Sequence, residues 1–193
     1  ALVLDVKVGS GAFMKDAATS FARDAGGVDL VVANAGIGVR HSALREGAAD
    51  EIAELMRINV IGVTNTVVPF VPIVVAQKSG VLSAVASFAG HRGLPGRAAY
   101  SASKAAVITF MDALRMDLEG TGAHAMTFCP GFVRTPLTEK NQGMFFVIDV
   151  DDAVKTMTSA VERRADTITF PWQMNALKAV LKAAPEAFVR LAE

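Results

Sequence analysis

Residues Val81 to Ala106 read VLSAVASFAGHRGLPGRAAYSASKAA. The run Val81 to Ala86 is apolar and closes on Ser87, and Gly90 to Gly96 is a loop rich in glycine and proline. From Ala98 the chain is built of alanine and serine, with Tyr100 and Lys104 four residues apart. A short apolar run bounded by turn residues reads as a buried strand, and the alanine-rich stretch beyond the loop reads as a helix. The same order of strand and helix recurs on both sides of this stretch, so its reading decides the fold.

Working outward, Leu2 to Val6 reads as a first strand ending near Asp5, and Phe13, Ala17, Phe21 and Ala25 form a helical stripe that stops at Gly26. VDLVVA (Val28 to Ala33) is a second strand, closed by Asn34, Ala35 and Gly36. A long helical stretch follows from about Asp50 to Gln77, which Pro69 and Pro72 should kink or divide. Val81 to Ala86 is the third strand, and Ala98 to Leu118 the next helix. HAMTFC (124–129) is a fourth strand and TITF (167–170) a fifth, separated by a helix begun near Asp151. An amphipathic tail helix runs from Trp172. Strands that are continuous apolar runs, alternating with helices, predict one open α/β structure: a parallel sheet covered on both faces. The chain reads as a single domain over 1–193, with 172–193 as a helical tail and no linker or repeat.

Composition narrows the function classes. Of 193 residues, 52% are apolar, and nineteen basic residues balance nineteen acidic ones. A neutral chain without a basic stripe is a poor nucleic-acid binder. No uninterrupted apolar stretch reaches the roughly 18 residues of a membrane span. The single cysteine, Cys129, fits a reducing compartment, so a cytoplasmic protein is expected.

In an open parallel sheet, ligands bind outside the carboxyl ends of the strands. The residues placed there are Asp5, Asn34-Ala35-Gly36, Ser87 and Pro130-Gly131. Tyr100 and Lys104 share one helix face, and Ser87 ends the preceding strand. Tyr100 is the one tyrosine in the chain and its neighbours are all small, which favours a site over a surface pair. His91 lies near Ser87, but no G-x-S-x-G turn surrounds that serine, so a hydrolase is not the reading. His41, His124 and Cys129 lack metal-ligand spacing, so no metal is expected. Near the start, Gly9 and Gly11 imitate a phosphate-binding turn, yet Met14 stands where a third glycine is needed.

Four elements in register carry a resemblance: NAG at Asn34 to Gly36, IN at Ile58-Asn59, S-x12-Y-x3-K from Ser87 through Tyr100 to Lys104, and PGFVRTPL from Pro130 to Leu137. In this order and spacing the chain resembles the short-chain dehydrogenase/reductase family over essentially its whole length. The resemblance implies a Rossmann-like, doubly wound sheet in three α/β/α layers. It also implies an NAD(P)-dependent oxidoreductase that interconverts a carbonyl and a secondary alcohol by hydride transfer. Tyr100 would be the general acid/base, Lys104 its activator and a ligand of the nicotinamide ribose, Ser87 a hydrogen-bond donor to the substrate oxygen, and Asn59 part of a proton relay through water. An ammonium roughly 5 Å from the phenol, at an effective dielectric of about 20, should lower the tyrosine by about two pK units.

On the cofactor side, the resemblance assigns Asp5 and Val6 to the adenine. It lays Asn34, Ala35 and Gly36 along the cofactor, and sets Pro130, Gly131, Val133 and Thr135 against the nicotinamide. Ala86 departs from the serine common at its place, while Ser87 is intact. The family's first βαβ unit, with its T-G-x-x-x-G-x-G turn, is absent from this sequence, so the chain is expected to belong to a longer protein. The residue that chooses NAD or NADP falls in that unit, and the choice stays open. The alternative is a catalytically inactive remnant acting as a subunit or interaction module. A homodimer or homotetramer is expected from the apolar Ala98–Leu118 helix. The tail is expected to pack on its own fold rather than on a membrane, and Phe88, Leu94, Leu137, Met144 and Phe145 point to a small apolar ketone or alcohol as substrate.

Overall fold

The computed structural model describes residues 8–38, 46–136, 138, 139 and 143–183, with side chains up to residue 179. The expected first strand, and with it Asp5 and Val6, lies outside the described residues, as do His41, Leu137 and the end of the tail. The elements are α1 (Gly11–Ala25), β1 (Leu30–Ala33), α2 (Ala48–Met56), α3 (Gly62–Val67), α4 (Val71–Gln77), β2 (Val81–Val85), α5 (Ala98–Asp117), β3 (His124–Pro130), α6 (Val150–Glu162), β4 (Thr167–Phe170) and α7 (Trp172–Ala183). The strands stand in the order β1-β2-β3-β4, every pair parallel.

Strand alternation sorts the core into two faces. Ala125 and Cys129 on β3, with Leu82 and Ala84 on β2, pack under Val63, Val67 and Val74 and under Val107, Met111 and Leu114 of α5. Met126 and Phe128 point the other way and meet Ala153 and Ala160 of α6 and Phe170 of β4. This is the three-layer arrangement expected, and both β2 and β3 are buried almost throughout. Each fully buried side chain of this size contributes about 1.5–3 kcal/mol.

Strand β1 departs from expectation. Leu30 and Val32 are each 43% exposed while Val31 and Ala33 are buried, so the strand alternates. Among the described residues β1 pairs with β2 alone, and one of its faces is half-exposed.

The long helix is divided, as its prolines require, by a 3-10 stretch at Val68–Phe70. It also holds a wide π-type turn at Arg57–Ile61, closed by the Gly62 amide donating to the Arg57 carbonyl. The stretch Ala48–Gln77 is 30 residues long and contains an 18-residue window with a mean hydropathy of 1.9, long and apolar enough by composition to cross a membrane. In this fold it sets Leu55, Val63, Val67 and Val74 into the interior.

Candidate functional site

The third strand delivers Ser87 as expected. Its hydroxyl accepts from the Ala89 amide at 3.2 Å and so caps the short helical turn Phe88–Gly90. That turn lies directly on the backbone of α5. A Cβ on Gly90 would stand 2.7 Å from the Lys104 carbonyl carbon and 2.9 Å from the Ala105 nitrogen. Only glycine permits this approach, which brings Ser87 to the helix carrying Tyr100 and Lys104. The Ser87 side chain lies near enough to the Tyr100 hydroxyl to lower its pKa, and the Lys104 ammonium lies 5.8 Å from the centre of the Tyr100 ring. The three residues proposed for catalysis therefore meet.

Lys104 is 5% exposed, and its Nζ donates to the Val85 carbonyl at 2.9 Å. Burial strips the ammonium of water and pulls its pKa down to about 8. Burial likewise pushes the Tyr100 phenol above its ordinary value of 10, against smaller lowering effects from the Ser87 side chain and the Arg97 charge. The downward shift expected from charge proximity is thus reversed in the protein alone. Desolvation opposes the charged forms of both groups, and on the phenol it outweighs the lowering by Ser87 and Arg97.

Asn59 is fully buried on the wide turn. Its Oδ1 accepts from the Ile37 amide at 2.8 Å, and its Nδ2 donates to the Ile37 carbonyl at 2.9 Å and to Ser103 Oγ at 3.2 Å. Ser103 Oγ donates onward to the Tyr100 carbonyl at 2.8 Å. This side chain ties the strand that ends at Ala33 to the helix of Tyr100. The loop Asn34–Gly36 that follows β1 is exposed. A Cβ on Gly36 would fall 3.2 Å from Asn59 Oδ1 and 3.4 Å from Lys104 Nζ. Gly36, Asn59 and Lys104 therefore converge at one point.

The segment after β3 begins with the Gly131 amide donating to the Phe170 carbonyl at 2.7 Å. Val133 bridges Ile148 in parallel. Thr135 Oγ1 lies 3.3 Å from Thr138 Oγ1, and the Thr135 amide donates to the same oxygen at 3.0 Å. Pro130 to Thr135 thus leave the sheet beside Ser87, from the neighbouring strand.

Sequence reasoning missed three contributors. Cys129 is fully buried beside the site, and burial pushes its thiol up to about 12, against smaller lowering by the Lys178 and Lys104 charges and the Ser87 backbone. Ser103 was visible only as one small residue among several. His91, set aside as a Ser87 partner, has Nε2 3.0 Å from Thr169 Oγ1 and ties the turn to β4 instead.

An open groove of about 510 Å³, lined by Phe21, Val28, Leu30 and Gln77, lies at the amino end of β1. It is at the opposite end of the sheet from Ser87. No group of three metal-ligating side chains occurs among the described residues.

A family model described as short chain dehydrogenase matches residues 1–144. An uncharacterized oxidoreductase of Myxococcus xanthus is 42% identical over 163 residues, covering 84% of this chain and 64% of that protein. A 3-oxoacyl-(acyl-carrier-protein) reductase of Thermotoga maritima is 35% identical over 115 residues, covering 60% of this chain and 46% of that protein. The chain thus spans less than two thirds of these relatives. Among solved structures, a short chain dehydrogenase of Burkholderia cenocepacia in complex with NADP superposes with a TM-score of 0.85 at 23% identity, covering 98% of this chain and 77% of that one. A Burkholderia phymatum short chain dehydrogenase/reductase in complex with NAD gives 0.81 at 23% identity, covering 92% and 73%. At that identity the likeness is one of fold, the Rossmann-like α/β sheet.

Proposed function

Because the chain belongs to the short-chain dehydrogenase family, we propose that it is an oxidoreductase interconverting a carbonyl and a secondary alcohol with NAD or NADP. The observation that carries this reading is the meeting of Ser87, Tyr100 and Lys104 at the carboxyl ends of β2 and β3. An inactive remnant would have no reason to keep that meeting.

The residues present suit a nicotinamide cofactor. The Val85 carbonyl takes one of the three protons of the Lys104 ammonium, leaving two to donate to ribose hydroxyls. The exposed Asn34–Gly36 loop and the Pro130–Thr135 segment flank the same end of the sheet, and Gly36 has no Cβ to fill the space before Lys104. The bound cofactor would supply or accept the hydride.

In carbonyl reduction, the Tyr100 hydroxyl gives its proton to the carbonyl oxygen as the carbon gains the hydride. The Ser87 hydroxyl donates a hydrogen bond to that same oxygen, where negative charge develops. The Lys104 ammonium stabilises the resulting tyrosinate, which restores the phenol by taking a proton from water. Alcohol oxidation is the reverse, with tyrosinate as base. Asn59 holds the Ile37 backbone and Ser103, and through them the first turn of α5. A homodimer or homotetramer remains part of the reading, supported by Met116 of α5, which is 64% exposed.

The test is Tyr100→Phe, assayed by nicotinamide absorbance against a panel of ketones and alcohols with both coenzymes. Loss of general acid/base catalysis should lower turnover by about 100-fold or more, with an unchanged far-ultraviolet circular dichroism spectrum. Turnover equal to the unmodified protein would remove Tyr100 from the mechanism.

A further inference from the structure

Beyond Pro130-Gly131 the chain makes an excursion closed at its base. The Ile148 amide donates to the Phe132 carbonyl at 3.0 Å, and the Arg134 amide donates to the Ile148 carbonyl at 2.9 Å. Phe132 and Phe145 stand edge to face with ring centres 5.4 Å apart, and Phe145 and Phe146 do the same at 5.6 Å. Phe132 is half-buried at the root of this row, while Phe145 and Phe146 are 40% and 49% exposed. Phe146 also has a φ of 52°. A bulky residue is strained in that left-handed conformation, and such strain collects at functional sites.

The place of the row gives it a use. Ser87 follows β2 directly, and Val85 of β2 pairs with Phe128 of β3, which sets Ser87 level with Pro130. Neighbouring strands lie about 4.8 Å apart, so Phe132, two residues beyond Pro130, lies at the same end of the sheet as the Ser87–Tyr100 pair. Three rings packed edge to face offer ring edges and faces rather than a general oily surface.

We propose that Phe132, Phe145 and Phe146 form an aromatic lip that receives a ring carried by the substrate, so that the preferred substrates are uncharged aryl ketones and aryl carbinols. The inference rests on the carbonyl–alcohol reading of the site. Edge-to-face packing of a substrate ring on Phe145 adds an attraction that a saturated ring of equal size lacks, worth roughly a 2- to 12-fold gain in affinity.

The experiment compares acetophenone, cyclohexyl methyl ketone and 2-butanone, by ligand-observed NMR titration without coenzyme and by turnover with coenzyme. The unmodified protein should bind acetophenone at least about twofold tighter than the cyclohexyl ketone, and 2-butanone weakest of the three. Phe145→Ala, a change at an exposed loop position, should bring the aryl and cyclohexyl ketones to equal affinity. Phe146→Gly should raise the thermal midpoint, by releasing the strained φ, while reducing the same aryl preference. Equal binding of the two cyclic ketones by the unmodified protein would overturn the lip, as would an aryl preference untouched by Phe145→Ala. An aryl preference in binding with no turnover of any ketone upholds the lip and removes the carbonyl–alcohol reading instead.

Discussion

Lys104→Met gives the sharpest test of the electrostatics at the site. The folded protein holds this lysine at about 8, against an ordinary 10.5, because burial disfavours its charge. Such a fall corresponds to roughly 3 kcal/mol. At 5% exposure there is little solvent to screen the penalty. Between about pH 8 and 10.5 the unfolded chain binds more protons at this position than the folded one, so folding stability rises with pH there. Below pH 8 the unmodified protein carries the whole penalty, and above 10.5 it carries none. Lys104→Met has no charge to desolvate, although it leaves the Val85 carbonyl without its donor. The stability gap between the two proteins should therefore move by roughly 3 kcal/mol, in favour of the unmodified protein, as pH climbs from 7 to 10.5. Urea unfolding followed by circular dichroism at several pH values measures the gap. Carrying both proteins in a Tyr100→Phe background removes the one tyrosine, which titrates nearby. A gap constant to within about 1 kcal/mol across that range would refute the reasoning.

Three further outcomes can be checked by the same unfolding measurements. Thr127 is fully buried, and its Oγ1 has no hydrogen-bond partner among the described residues, so Thr127→Val should stabilise the fold by about 1 kcal/mol. Asn59→Leu strips both polar groups of Ile37 of their partner and should cost about 2 kcal/mol or more, while also lowering turnover through α5. Gly90→Ala forces a Cβ against helix backbone at 2.7 and 2.9 Å. Overpacking of this kind costs about 1–3 kcal/mol, and it should reduce turnover further by moving Ser87 away from Tyr100.

Much of this was legible in the sequence because its signals are local. Continuous apolar runs between helices marked the parallel strands, and the spacing of Ser87, Tyr100 and Lys104 marked three side chains that the structure brings close together. What escaped depends on contacts between distant segments. β1 looked doubly buried, yet Leu30 and Val32 are half-exposed, since burial is decided by what covers a strand and not by its composition. The shift of Tyr100 was expected to be downward because charge separation can be judged from spacing. Desolvation depends on the surrounding fold, and it prevails. The Asn59–Ile37 bonds span a sequence separation that no pattern marks.

The wide turn at Arg57–Ile61 left no trace in the apolar periodicity, because it works by adding a residue rather than by changing one. Each residue of a helix turns its successors by about 100°. Deleting one residue between Arg57 and Ile61 would restore an ordinary helix and raise no objection from helix propensity. Val63, Val67 and Val74 would then keep their place over the sheet, because the wide turn is what absorbs the extra residue. Tightening that turn with all its residues kept would instead swing the three valines off the sheet by about 100°, so the phase of the helix is held by the width of one turn.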